Sequence, residues 1–284
     1  MIEYIFFFIG FCCILKVALV LLEFLQGYSH ISDIKKYGHS WAIITGATDG
    51  VGLAFAKKLA QAGFSLILIS RNPIKLLQVA RELNLQYGIN TLTIAKDFND
   101  CNKDPQEFFN GIYAKCQNLN ITLLINNVGY GEKAPFIESL PLILRQISIN
   151  IFPMVFLTRL ILPSLISNGL GGIINIGSIT TLRQFPVLIA VYSATKSFEL
   201  IFSQTCSQEY NLDILCIEPS FINTKLTKIY RRKPFNIQPD EFVEASLCCL
   251  GRVGHSFGHW RHYISYFFYT VLGPFISILL DITN

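Results

Sequence analysis

Short apolar runs alternate with amphipathic stretches from residue 40 to about Glu218, and this alternation is the main structural signal in the chain. Runs rich in Ile, Leu and Val predict strands that are buried on both faces of a parallel sheet, and one-sided apolar spacing between them predicts helices. The pattern therefore predicts an α/β fold, a doubly wound parallel sheet covered by helices. Predicted strands are 41–45, 65–70, 91–96, 121–126, 172–177 and 213–218, and predicted helices lie near 50–62, 74–87, 105–116, 138–151, 152–168, 191–210 and 240–250.

The N-terminal region has a different pattern, an almost unbroken apolar run that is interrupted by Lys16 and Glu23. A helix that rises ~1.5 Å per residue over this run is long enough to cross ~30 Å of hydrocarbon. We predict a transmembrane helix that anchors the protein over 1–26, followed by a linker over 27–39. A lysine near the centre of a membrane span is energetically costly, so an interfacial hairpin is an alternative to a spanning helix. A secretory signal peptide is the competing interpretation of the same run.

The charges around this run predict its orientation. Glu3 precedes the run, whereas Lys35 and Lys36 follow it. The positive-inside rule therefore places the rest of the chain on the cytosolic side of the membrane. The eight cysteines have no Cys-x-x-Cys pair and no zinc-like spacing, which suits apolar thiols in a reducing compartment and predicts no metal site.

A second apolar and aromatic region ends the chain. It starts at Tyr263, and Gly273-Pro274 divides it into halves that are each too short to span a bilayer. We predict a hydrophobic, membrane-associated segment over 263–284 that contacts the membrane or lines a substrate channel, and we predict that its start supplies a final strand to the domain over 40–262. Between Thr224 and Pro239 the sequence is basic and contains proline, which is typical either of a mobile flap over a site or of a plain surface connection.

The composition supports contact with lipid. Hydrophobic residues make up 51% of the chain and charged residues only 15%, more apolar than a domain without membrane contact needs. The net charge of +4 is modest and forms no basic stripe, so we predict no nucleic-acid partner.

Candidate chemistry begins at a glycine-rich turn directly after the first predicted strand. Three glycines follow the pattern Gly-x-x-x-Gly-x-Gly and lead into a helical pattern. Backbone N–H groups and the positive end of a helix meet at such a turn and bind anions, which here predicts the pyrophosphate of a dinucleotide in a Rossmann fold. A merely tight connection is the alternative. The predicted contacts are Gly46, Thr48, Asp49, Gly50 and Gly52.

A tyrosine and a lysine suggest acid-base chemistry further along the chain. Tyr192 and Lys196 are four residues apart on a predicted helix, so their side chains share one face. A nearby ammonium favours the phenolate and lowers the phenol pKa from ~10, which makes the tyrosine a better proton donor. Ser178 follows the fifth predicted strand, where its hydroxyl would stabilise charge on the same substrate oxygen.

These features occur in an order that resembles the short-chain dehydrogenase/reductase family over roughly residues 40 to 250. The glycine turn, Asn126-Asn127-Val128-Gly129, Asn150, Ser178 and the Tyr192-x-x-x-Lys196 motif carry the resemblance. It is greatest to membrane-bound very-long-chain 3-oxoacyl-CoA reductases, which are grouped with the 17β-hydroxysteroid dehydrogenases. The resemblance implies catalysis by Asn150, Ser178, Tyr192 and Lys196, with Asn150 holding Lys196 through a water molecule.

The residue after the second strand predicts the cofactor. A carboxylate there would bind a free ribose hydroxyl, whereas this chain has Arg71, with Lys75 one turn later, which favours a 2′-phosphate and thus NADP(H). The resemblance adds Asp97 beside the adenine, Asn127 beside its ribose and Thr224 at the nicotinamide and phosphates. Tyr192 and Lys196 are expected to contact the same cofactor.

The resemblance implies reduction of a 3-oxoacyl-CoA by NADPH during very-long-chain fatty-acid elongation at the endoplasmic reticulum membrane. A steroid dehydrogenase that acts on a lipid-like ketone or alcohol is the alternative, and a catalytically silent membrane scaffold is a third hypothesis. Homodimers or partners in an elongation complex are expected from the family. The sequon Asn120-Ile121-Thr122 tests the cytosolic orientation, because a glycan there would require a lumenal domain.

Overall fold

Seven parallel strands form one sheet in the computed structural model, which describes residues 2–27, 33–38, 40–137, 140–182, 188–225, 227 and 236–272. Six of the strands coincide with the predicted ones to within one residue, which confirms the predicted fold class. The strands are β1 (Trp41–Thr45), β2 (Ser65–Ser70), β3 (Thr91–Ala95), β4 (Ile121–Asn126), β5 (Gly172–Ile176), β6 (Asp213–Ile217) and β7 (His255–Ser256).

The order of the strands is β3-β2-β1-β4-β5-β6-β7, and every neighbouring pair is parallel. The chain first builds outward from β1 to β3 and then returns to add β4 on the other side of β1. The connections after β1 and β4 therefore diverge, which leaves a crevice at the carboxyl ends of these two strands. In open α/β sheets, ligands bind at such a switch point.

Helices cover both faces of the sheet, as the alternating pattern predicts. The described helices of the chain are α1 (Ile2–Gly27), α2 (Gly50–Gln61), α3 (Pro73–Tyr87), α4 (Pro105–Tyr113), α5 (Leu140–Asn150), α6 (Phe152–Ser167), α7 (Ala190–Tyr210), α8 (Pro239–Cys249) and α9 (Trp260–Phe267), of which α2 to α8 form the two layers. A π-helical turn over Phe268–Leu272 follows α9. Helices α2, α3 and α8 pack on one face, and α4 to α7 pack on the other.

The alternating direction of side chains along each strand explains why the core has two layers, one on each face of the sheet. Ile44 and Leu68 belong to the hydrophobic cluster on the face of α2, whereas their neighbours Ile43 and Ile67 belong to the cluster on the face of α4. All four side chains are fully buried. Because successive side chains of a strand point to opposite faces, a strand covered on both sides must be apolar throughout.

The last strand is not where the sequence predicts it. The prediction of a strand at the start of the segment that begins at Tyr263 is wrong, because Tyr263 lies within α9. The seventh strand is instead His255–Ser256, which pairs with Cys216 and Ile217. A two-residue strand has no detectable period, so the tertiary pairing decided it. Gly273-Pro274 and the rest of the C-terminal segment lie outside the described residues.

The N-terminal apolar run forms one helix, α1, whose side chains are largely exposed over the described positions. Tyr4 and Phe7 are 80% and 78% exposed, respectively. By length and composition, two stretches of the described chain could cross a membrane, Gly10–Gly27 and Leu140–Ser167. The second comprises α5 and α6, which pack against the sheet, so their apolar residues serve the core. The exposed apolar surface of α1 has no such partner within the described residues.

The C-terminal end of α1 packs on the domain. The ring of Phe24 makes an edge-to-face contact with Tyr263 at 5.1 Å between centroids, and Val20 contacts the same small hydrophobic cluster. Beyond α1, Tyr37 is buried and its hydroxyl donates to Asp213 Oδ2 at 2.6 Å. The described part of the linker is therefore attached to the first residue of β6.

Candidate active site

The glycine turn after β1 is so tight that no side chain fits at Gly46 or Gly52. Gly46 has a φ of +67°, a value that L side chains rarely adopt. A Cβ at Gly52 would lie 2.2 Å from the carbonyl oxygen of Gly46, so only glycine allows α2 to start this close to the strand. Gly50 is the first residue of α2. The turn thus directs the N-terminal end of α2 toward the crevice, as an anion-binding turn requires.

Asp49 and Thr48 fix the shape of this turn. Asp49 caps α2, since its Oδ1 accepts from the Gly50 amide at 2.9 Å, and its other oxygen forms an ion pair with Lys225. Partial burial opposes ionisation, but the hydrogen bond and charge of Lys225 outweigh it and lower the pKa of Asp49, with a smaller contribution from Lys75. The Thr48 hydroxyl lies 2.9 Å from that of Ser70, which joins the turn to the end of β2.

Thr45 connects the crevice to β4, a role that the sequence analysis missed. Its buried hydroxyl accepts from the amides of Asn127 and Val128 at 2.9 and 3.0 Å. The side-chain amide of Asn127 in turn donates to the Thr45 carbonyl at 2.8 Å. Asn127 therefore holds the ends of β1 and β4 together beneath the glycine turn. A polar residue directly before the first glycine is the signal that could have identified Thr45.

The predicted adenine-side residues lie at the ends of β2 and β3. Arg71 and Lys75 are both exposed, directly after β2 and in the first turn of α3. Asp97 is half-buried after β3, where its Oδ1 accepts from the Asn99 amide at 3.0 Å. The exposed side chains of Arg71 and Lys75 can bind a phosphate at this edge of the sheet, because neither has to break a buried contact to reach it.

Thr224 lies on the opposite side of the crevice, above the start of α2. A Cβ at Gly50 would lie 3.1 Å from Cγ2 of Thr224, so the two segments are in contact. Thr227 braces the Thr224 turn, since its hydroxyl donates to the Ile222 carbonyl at 2.7 Å and accepts from the Thr224 amide at 3.3 Å. Most of the flap predicted after Thr224, namely residues 226 and 228–235, lies outside the described residues.

Asn150, the last residue of α5, is 2% exposed and connects three elements. Its side-chain amide donates to the Tyr130 carbonyl at 3.0 Å and to the Thr195 hydroxyl at 2.9 Å, and its Oδ1 accepts from the Tyr130 amide at 2.8 Å. The loop after β4 is thereby joined to α5 and α7. A water-mediated contact between Asn150 and Lys196 stays a prediction.

Tyr192 and Lys196 lie beside that same loop. A Cβ at Gly131 would lie 2.8 Å from Cδ2 of Tyr192, and one at Gly129 would lie 3.4 Å from Nζ of Lys196. Both side chains therefore border the crevice between β1 and β4. Ser178 follows β5 and is buried, with its Oγ accepting from the Thr180 amide at 3.3 Å, so its rotamer is held by the backbone.

The ammonium of Lys196 is buried and fully engaged. Nζ lies 5.8 Å from the centroid of the Tyr192 ring and donates to the Ile176 carbonyl at 2.8 Å and to the two carboxylate oxygens of Glu199 at 2.9 and 3.0 Å. Burial by itself lowers the pKa of Lys196, but the charge of Glu199 outweighs it and raises that pKa. Lys196 is thus a permanent cation beside the phenol. The sequence analysis missed Glu199, although its i+3 spacing was visible.

A second, partly buried charge cluster lies beyond β6. His255 places Nε2 2.8 Å from Glu218 Oε2 and Nδ1 2.7 Å from Glu23 Oε1. Burial by itself lowers the pKa of His255, but the hydrogen bonds and charges of Glu218 and Glu23 outweigh this effect and raise the pKa to about 9. The charged His255 therefore joins the C-terminal part of α1 to the catalytic domain, and no sequence pattern indicated this contact.

The crevice fits a dinucleotide on the geometry of these residues. Glycines 46 and 52 form a cradle that a Cβ would fill, the amides at the start of α2 point outward from it, and two exposed cations follow β2. Tyr192 and Lys196 border the far end of the same crevice. The crevice can therefore bind a phosphate at the glycine turn and, at the same time, a group that accepts a proton beside Tyr192.

Comparisons with known proteins agree with this geometry. Residues 40–234 match a family model described as short chain dehydrogenase. The very-long-chain 3-oxoacyl-CoA reductase-A of Danio rerio is 36% identical over 251 residues, 85% of this chain and 76% of that protein. The very-long-chain 3-oxoacyl-CoA reductase of Homo sapiens is 34% identical over 230 residues, 78% of this chain and 72% of that protein.

Solved structures share the fold. A short-chain dehydrogenase from Sphingobium yanoikuyae in complex with NADPH has a TM-score of 0.66 at 25% identity, covering 73% of this chain and 83% of that chain. A 7β-hydroxysteroid dehydrogenase has a TM-score of 0.76 at 21% identity, covering 85% of this chain and 95% of that chain. The second comparison concerns the fold alone.

Proposed function

This chain belongs to the short-chain dehydrogenase family, and we propose that it uses NADPH to reduce a long-chain 3-oxoacyl-CoA to the 3-hydroxyacyl-CoA. The observation that carries the proposal is the buried ammonium of Lys196 beside Tyr192, at the crevice that begins with the glycine turn. The relatives at 33–36% identity over most of this chain, which are very-long-chain 3-oxoacyl-CoA reductases, supply the substrate class.

The cofactor would lie along the crevice. The amides at the start of α2 and the turn from Gly46 to Gly52 would bind the pyrophosphate, and Arg71 and Lys75 would bind the 2′-phosphate. Asp97 and Asn127 would border the adenosine, with Thr224 near the nicotinamide. Asp49 carries a negative charge at this turn, and its ion pair with Lys225 reduces the repulsion that a phosphate would otherwise meet.

In the proposed reaction, bound NADPH supplies a hydride to the ketone carbon. Tyr192 gives its phenolic proton to the carbonyl oxygen, so that the carbon and oxygen together receive a hydride and a proton. Lys196 stabilises the phenolate that remains, because its buried ammonium lies 5.8 Å from the ring centroid. Ser178 hydrogen-bonds the carbonyl oxygen as its charge develops. Asn150 holds the loop after β4 and helix α7 in register.

We also propose that α1 anchors the protein in the endoplasmic reticulum membrane, with the domain over 40–262 on the cytosolic side and the segment over 263–284 in contact with the membrane. Long acyl chains partition into lipid, so an anchored enzyme receives them from the bilayer. The sequon Asn120-Ile121-Thr122 tests this orientation, because asparagine-linked glycans are added in the lumen. A glycan on Asn120 would contradict this orientation.

The proposal is tested with the full chain in detergent, by following NADPH absorbance with a long-chain 3-oxoacyl-CoA and then with a 17-ketosteroid. We expect oxidation of NADPH with the acyl-CoA, and a loss of about 10³-fold in kcat for Tyr192→Phe, which removes the proton donor but keeps the ring. Consumption with the steroid alone would favour a steroid dehydrogenase. If the wild type oxidises NADPH with neither substrate, the hypothesis of a catalytically silent membrane scaffold is favoured.

A further inference from the structure

Glu199 is a buried acid that the proposed reaction does not use. It is 3% exposed and follows Lys196 by three residues on α7. Its two oxygens accept from Nζ of Lys196, and the Ile176 carbonyl accepts the third hydrogen bond. A buried carboxylate is costly unless it has a function or a well-placed partner, and here the partner is the lysine that borders the crevice.

Glu199 changes the charge that Tyr192 experiences. An ammonium acidifies a nearby phenol through its positive charge, and a carboxylate within 3.0 Å of that ammonium compensates much of this charge. With Glu199 ionised, the phenol of Tyr192 is near an ion pair, whereas with Glu199 neutral it is near a full cation. The charge of Glu199 therefore changes the electrostatic field that Lys196 exerts on the phenol.

Other titratable groups also face Glu199. Burial raises the pKa of Glu199 to about 7, with Lys196 opposing the shift and Glu218, which follows β6, adding to it. Glu218 is itself held by His255. Cys216 of β6 faces the same cluster, and burial raises the pKa of its thiol, so it stays neutral. Lys196 is thus the charged partner of Glu199 that also lies beside Tyr192, with Nζ 5.8 Å from the ring centroid.

We infer that Glu199 is a positioning residue for the proposed reaction, holding the Lys196 ammonium in place and setting the pH range in which Tyr192 donates its proton. The inference rests on the acid role proposed for Tyr192. It predicts that removal of the negative charge at residue 199 makes the phenol more acidic. Because reduction needs the protonated phenol, the alkaline limb of its pH profile then moves to lower pH.

The test is the pH profile of kcat for reduction by the full chain, in wild type and in Glu199→Gln, which keeps the shape and removes the charge. We expect the alkaline limb of Glu199→Gln to lie about one pH unit lower than that of wild type. Glu199→Asp withdraws the carboxylate by about 1.5 Å, so it should move the limb in the same direction by less. Glu209→Gln removes the same charge from the exposed end of α7 and should leave the limb in place.

NADPH binding, measured by its fluorescence, gives a readout without turnover. A weaker acceptor at residue 199 releases hydrogen-bond donors of Lys196, so we expect Glu199→Gln to bind NADPH about twofold more tightly. A limb that stays within about 0.2 pH units of the wild type in folded Glu199→Gln, or in Glu199→Asp where the first variant does not fold, would overturn the inference. Weaker NADPH binding by Glu199→Gln would overturn it as well. The absence of any alkaline limb in the wild type would instead disprove the proposed acid role of Tyr192.

Discussion

Two charge clusters, one buried and one partly buried, flank β6, and they are built in different ways. The lysine cluster, Lys196 with Glu199, lies within one turn of α7 and holds an ammonium at the candidate active site. The histidine cluster, Glu23 with His255 and Glu218, brings together α1, β7 and the residue after β6, across as many as 232 positions of sequence. The first cluster has a cation that stays charged, whereas the second has one that titrates.

This difference suits the catalytic role proposed for the lysine cluster and a role in attaching α1 for the histidine cluster. A lysine with a raised pKa keeps its charge across the pH range of an enzyme, which suits a group that must always acidify its neighbour. A histidine between carboxylates releases its proton in mild alkali, and the contact with α1 weakens when it does. The comparison predicts that changes in the lysine cluster affect kcat, whereas changes in the histidine cluster affect stability and the docking of α1.

The largest expected effect comes from Lys196→Met. It removes the cation beside Tyr192, and we expect kcat for reduction to fall about 10³-fold. It also leaves Glu199 buried without a partner, at a cost of roughly 3 kcal/mol in the free energy of unfolding. Urea unfolding of the detergent-solubilised chain measures the second effect.

The double variant Lys196→Met with Glu199→Met separates these two effects. Replacing both members of a buried pair by apolar residues of similar size is often neutral, so most of the lost stability should return. The activity should not return, because the cation is still absent. Recovery of both would show that Lys196 is needed for the fold only.

Arg71 is a charged group outside both clusters, and its substitution tests cofactor choice. We expect Arg71→Ala to raise KM for NADPH about 30-fold and to leave KM for NADH nearly unchanged, because the lost ion pair is with the 2′-phosphate. The unfolding free energy should stay within about 0.5 kcal/mol of the wild type, since the side chain is exposed. Equal effects on the two cofactors would contradict this assignment.

His255→Gln is expected to weaken the histidine cluster with little effect on kcat. The glutamine carries no charge, so Glu23 and Glu218 lose their shared cation, and we expect a loss of roughly 2 kcal/mol in stability. Limited proteolysis between α1 and the domain should become faster. A loss of kcat larger than about threefold would show that the two clusters are coupled.

The pH dependence of stability gives the smallest and most selective effect. The pKa of His255 is raised to about 9 from 6.5, so its contribution is complete below pH 6.5 and is lost as the pH rises through about 9. The wild type should therefore lose more stability than His255→Gln between pH 7 and 10. Melting temperatures of both proteins across this range measure the difference, and parallel curves would contradict it.

Local patterns were sufficient to predict six strands of the sheet and to nominate the residues of the candidate site. These patterns are short-range features: the apolar runs, the three glycines and the four-residue spacing from Tyr192 to Lys196. Each sets the local structure of its own segment, whatever the rest of the chain does. Six strands and the helices between them follow from such features. The roles of the site residues remain predictions that the variants above test.

The sequence by itself determined the alternation of strands and helices, the anion-binding turn at Gly46 and the shared helical face of Tyr192 and Lys196, because side-chain period and glycine geometry act over a few residues. Only the tertiary structure decided that His255 forms the last strand and meets Glu23, and that the Lys196–Glu199 pair is buried with Nζ against the Ile176 carbonyl of β5. Such contacts depend on which distant groups lose water together, and no local period encodes that.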